Sequence, residues 1–108
     1  MLNLNFYTLN KKTMTQSTYN GWTNYATWRV GLEFFDGFEY TEYYDADIPA
    51  YELSTNLRDL VVTHLETETS SYSCKHESTF VLSYALAFLD DVNWYELAEH
   101  LINYNSNK

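Results

Sequence analysis

Between Asp36 and Asp47 the chain reads DGFEYTEYYDAD. Five carboxylates (Asp36, Glu39, Glu42, Asp45 and Asp47) alternate irregularly with three tyrosines, Tyr40, Tyr43 and Tyr44. Carboxylates steer a cationic partner from a distance, and tyrosine rings bury area while keeping a polar tip. The stretch therefore reads as a surface that docks on a basic groove, or as a solvated loop whose tyrosines lie on the core. A calcium loop needs oxygens at set spacing around a sharp internal glycine. Past Gly37 this run has no glycine.

Other reactive side chains are sparse. His64, Cys74, His76 and Glu77 make a mixed donor set, but a C-x-H step is narrower than the paired spacings of zinc sites. Cys74 and His76 lie too close in one polar stretch to face each other as nucleophile and base, and no third group orients them. Asp90 and Asp91 stand between two helical patterns, where a helix-end role suits them better than catalysis. There is no glycine-rich phosphate loop and no paired C-x-x-C. No catalytic residue, metal ligand or cofactor is assigned.

The third cluster is aromatic. In YNGWTNYATWRVGLEFFDG, Trp22, Tyr25 and Trp28 follow Tyr19 closely. Trp and Tyr dominate interface energetics, so Tyr19 and Trp22, which precede the helical pattern, are candidate partner-binding residues. Trp28 is assigned to the core on its spacing.

The elements that position these groups follow from periodicity. Tyr25, Trp28, Leu32 and Phe35 recur at intervals of 3, 4 and 3, the face of a first helix capped by Thr23 or Asn24 and ended near Gly37. Gly31 inside it permits close approach of another element. A second helix starts at Asp47 as cap, with Pro49 in its first turn and an apolar face of Leu53, Leu57, Leu60, Val61 and Leu65. The polar run ETETSSYSCKHES reads as a loop. Ser78 or Thr79 then caps a third helix, whose SYALAFL is apolar nearly all round and so expected at the centre. Asn93 caps the last helix. Glu96 stands in the capping-box position, and Val92 and Leu97 are placed for a hydrophobic staple. The fold class is therefore all-α, a small single domain of about four helices with a long acidic, aromatic connection between the first two. Residues 19–104 form the domain, 105–108 a polar tail, and 1–18 an arm or tail, with Met14 as an alternative start.

The whole chain has 108 residues, the length of one domain. Aromatic residues make up 19% of it, eleven of them tyrosines. Fifteen acids against six bases give a formal charge of −9. Such a chain is repelled by nucleic-acid phosphates and anionic membranes and attracted to basic surfaces. No apolar run approaches the roughly 18–20 residues of a membrane span, and no secretory leader pattern opens the sequence. One cysteine fits a reducing compartment. The expected setting is the cytoplasm, with neither membrane nor direct nucleic-acid contact.

YNGWTNYATWRVGLEF, Tyr19 to Phe34, resembles a YNGW-x-NYxTWxVxL motif of small acidic bacteriophage proteins, including those of cyanobacterial phages. YALAFLDDVNWYELAEHL, Tyr84 to Leu101, is similar to the C-terminal end of the same proteins. Ala26 and Arg29 stand where many of them carry Glu and Asn. The resemblance implies a phage accessory protein and no particular reaction. The expected function is non-enzymatic: binding and modulation of a host protein with a basic surface. Mimicry of nucleic acid, blocking a restriction, CRISPR or transcription enzyme, is the alternative. A small enzyme or metal-binding protein is the third class.

Overall fold

The computed structural model describes residues 18–70 and 75–107, with backbone alone for 75–78. All but Thr18 of the expected arm at 1–18, the start at Met14 and the Cys74 options lie outside the described residues. The fold is all-α. Four helices follow in order: α1 (Tyr25–Phe34), α2 (Ala50–Thr69), α3 (Lys75–Leu89) and α4 (Trp94–Ser106). One 3₁₀ turn, Tyr40–Glu42, interrupts the α1–α2 connection.

The core sits where α2 packs along α4, the most extensive helix–helix contact, with α3 against α2 and α1 against α4. Leu53, Leu57 and Val61, one turn apart on α2, are buried against a core that includes Leu97, Ala98 and Leu101 of α4. Leu65 continues this face half-buried, whereas Leu60 turns out to solvent. Val92 and Leu97 are both buried, as a hydrophobic staple requires.

Helix α1 is rotated from the expected face. Its buried side is Ala26, Thr27 and Val30, while Tyr25 and Leu32 are exposed, Trp28 is half-buried, and only Phe35 of the expected stripe is core. The reason is size. Small residues let α1 come close to α4: a Cβ on Gly31 would stand 3.0 Å from Leu97 Cδ2. The large rings are then left on the flank, where Tyr25 meets Trp28 (5.7 Å between centroids) and Phe88 of α3 (6.4 Å).

Four boundaries differ from expectation. Pro49, not Asp47, occupies the N-cap of α2, with extended backbone (ψ 149°) and no side-chain cap bond, and Asp47 is exposed upstream. Helix α2 continues through Thr69, which is buried, and the Thr67 and Thr69 hydroxyls donate back to the Thr63 and Leu65 carbonyls, satisfying their polar groups within the helix. Helix α3 already runs from Lys75, ahead of Ser78 and Thr79. The polar tail is helical to Ser106, whose hydroxyl donates to the Ile102 carbonyl (3.0 Å).

Nor is α3 central. Phe80, Val81, Tyr84 and Phe88 are exposed, and Leu89 is its one fully buried side chain among those described. Apolarity all round the helix does not reflect burial all round. Phe80 and Tyr84 instead pack on each other at the surface (4.5 Å between ring centroids).

Candidate functional site

Asn20 and Gly21 both have positive φ (50° and 87°), and Tyr19 and Trp22 exchange two backbone hydrogen bonds (2.7 and 2.8 Å). This is the two-residue hairpin favoured by Asn-Gly. It sets the Tyr19 ring on Tyr25 (5.1 Å) and Trp28 (5.0 Å). It sets the Trp22 ring over Gly31, within 3.9 Å of where a Cβ would lie, and against His100 of α4 (4.8 Å).

Beneath Trp22 a cleft of about 410 Å³ opens between α1 and α4. Trp22, Trp28, Phe38 and Tyr104 give it aromatic walls, and Asp36 and His100 are its polar members alongside the Tyr104 hydroxyl. Gly31 lies in the cleft wall, where a longer side chain would intrude. Two residues assigned from sequence to partner binding, Trp22 and Asp36, are thus brought to one place, and Tyr19 buttresses it through Trp28.

The rest of the acidic segment lies beside this cleft. Phe38, in the cleft wall, stacks parallel on Tyr43 at 5.5 Å. Tyr43 in turn borders a shallow depression of about 510 Å³ with Tyr44, Asp45, Asp47 and Glu52. Tyr43 is 65% exposed, and Glu42, Asp45 and Asp47 are exposed with it. Tyr44 is half-buried; burial chiefly, and the Asp59 charge secondarily, push its phenol above the ordinary value. Glu39 is also partly covered.

Tyr40 does not belong to this surface. It is 2% exposed, and its hydroxyl donates to the Ala46 carbonyl (2.7 Å), closing the turn from inside. A short 3₁₀ turn sends one tyrosine inward and leaves Tyr43 outside.

The carboxylate of Glu96 does not close a capping box on its own helix. Its Oε1 accepts from the Thr23 N–H (3.1 Å). The Asn93 side chain still caps α4 by accepting from the Glu96 N–H (3.1 Å). His64 stands edge-on to Phe34 (5.7 Å). No group of three metal-ligating side chains converges among the described residues. No described helix is long and apolar enough to cross a membrane.

Set beside known protein families, curated proteins and solved structures, the chain matches none.

Proposed function

We propose that this chain is a non-enzymatic binding protein whose acidic, tyrosine-bearing face docks on a basic surface of a host protein and blocks it. The observation that carries this reading is Tyr43, exposed, stacked flat on Phe38 and surrounded by the exposed carboxylates of Glu42, Asp45 and Asp47. A ring already held by a neighbour loses little freedom on binding, which favours it as an anchor. The net charge of −9 supplies the long-range attraction. The phage setting follows from the resemblance of the two blocks at 19–34 and 84–101, and in that setting the partner belongs to the infected cell.

The test begins with capture of the partner from host lysate, identified by mass spectrometry. Association and dissociation are then measured by surface plasmon resonance at two salt concentrations. Converting Glu42, Asp45 and Asp47 to their amides slows association and flattens its salt dependence, since exposed charge acts through steering. Tyr43→Ala leaves association near wild type and speeds dissociation, as loss of an anchor does. Unchanged kinetics in both variants would sink the proposal. Competitive displacement by the partner's own DNA or RNA would identify the occupied surface as a nucleic-acid channel, the mimicry alternative.

A further inference from the structure

We infer that the cleft between α1 and α4 receives an arginine side chain of the docked partner; the inference rests on the proposed binding to a basic surface and names the anchor point. Three observations meet there. The walls include aromatic rings, Trp22, Trp28 and Phe38 foremost, and a guanidinium is drawn to such rings by cation–π attraction. The cleft carries one carboxylate, Asp36, and among the described residues no lysine or arginine lines it. It also opens at the C-terminal end of α1, where Leu32 and Phe35 line it and the last turn holds no basic side chain. A helix C-terminus bears a partial negative charge that favours a cation.

The walls are held in place before any ligand arrives. Trp28 rests on Tyr19 and Tyr25, Trp22 on His100, and Phe38 on Phe35 (5.3 Å) and Tyr43. A planar cation can enter between fixed rings and present one edge of its fork to Asp36. An uncharged apolar side chain would fill the same space without using the carboxylate or the helix end. The stack of Phe38 on Tyr43 joins the cleft to the acidic face, so one basic segment can span both.

The probe is a short peptide, Gly-Gly-Arg-Gly-Gly amide, titrated into the full-length protein and followed by NMR. Its counterpart carries citrulline, an uncharged isostere, in place of arginine. The indole N–H signals of Trp22 and Trp28 should shift saturably with the arginine peptide, while Trp94, which lies outside the cleft, stays still. The citrulline peptide should bind about tenfold more weakly, the equivalent of about 1.4 kcal/mol. Asp36→Asn should weaken the arginine peptide several-fold; Asp36 is exposed, so the variant folds. Equal affinity for the two peptides overturns the inference, as does tighter binding of tetramethylammonium than of the arginine peptide. Shifts confined to residues 42–47 overturn the cleft and leave the acidic docking face standing. No saturable shift at any residue, with a captured partner that still responds to the amide variants, overturns the cleft alone. No shift and no such response overturn both.

Discussion

The backbone N–H of Asn93 donates to the hydroxyl of Thr27, 2.8 Å away, and Thr27 is fully buried. The same hydroxyl donates to Asn24 Oδ1 (2.7 Å), which also accepts the Thr27 N–H and so caps α1. Asn24 Nδ2 donates to the Asp91 carbonyl (2.8 Å), and Glu96 takes the Thr23 N–H. The N-termini of α1 and α4 therefore exchange caps. Each supplies acceptors for donors that its neighbour leaves open.

Thr27→Val keeps the shape and removes both hydroxyl bonds, leaving the Asn93 N–H without its partner. The expected loss is about 1–3 kcal/mol, the cost of an unsatisfied donor. Thr27→Ser, which keeps the hydroxyl, should lose less. Urea denaturation of the two variants decides it, and equal losses would mean that the methyl group matters more than the bonds.

The two tyrosines of the 3₁₀ region should behave oppositely. Tyr40→Phe removes a buried hydrogen bond and should destabilise by about 0.5–1.5 kcal/mol. Tyr43→Ala, at an exposed ring, should stay close to wild type, within about 0.5 kcal/mol beyond the lost stacking on Phe38. Thermal unfolding compares them directly.

On α3, Leu89→Ala should cost about 2–5 kcal/mol as a core truncation. Phe80→Ser, one of the exposed apolar residues, should be nearly silent in stability. A large loss at Phe80 would mean that this face is covered in solution.

Stability at alkaline pH should depend on Tyr44. Its phenol is pushed up in the folded chain, first by burial and then by Asp59. The folded state thus holds that proton more tightly than the unfolded one. The associated stability is whole below the ordinary phenol pKa of about 10 and is lost as pH rises through the higher folded value. Wild type should lose more stability than Tyr44→Phe as pH rises above about 10, the ordinary phenol value, by chemical denaturation at each pH.

Much of the fold could be read from the sequence where size and period agree. Leu53, Leu57 and Val61 are large, spaced by one turn and buried. Helix α1 misleads because its contact side is made of residues smaller than its rings: Ala26 and Gly31 give way to α4, and Thr27 adds a hydroxyl that α4 uses. Ring size pointed to the opposite flank. Helix α3 misleads because hydrophobicity reports what a face could bury, and the number of neighbours decides what it does bury. For the site, the composition of 36–47 marked a surface, but nothing in three tyrosines within five residues says which one turns inward. The Asn-Gly hairpin has a short-range signature at Asn20 and Gly21, yet its consequence, Trp22 laid over Gly31, depends on α4 being there. Nothing marked Thr27, whereas Thr23, Asn24, Asn93 and Glu96 were readable as helix-start residues. Their pairing was not, since the partners lie 66 to 73 positions apart.

That separation governs the order of folding. Helices α2 and α3 are sequence neighbours that pack on each other, and the main α2–α4 contact closes only the stretch that contains α3. The α1–α4 clasp must instead close nearly the whole described chain, an entropic cost of roughly 4 kcal/mol for a flexible loop of that length. The expected order therefore has these contacts forming after the more local ones, as a long loop must be closed before they reward it. Substitutions at Asn24, Thr27 or Asn93 should then speed unfolding while scarcely slowing folding. In the native state, α1 with its hairpin becomes the segment that opens first, and its amide hydrogens should exchange ahead of those in the middle of α2.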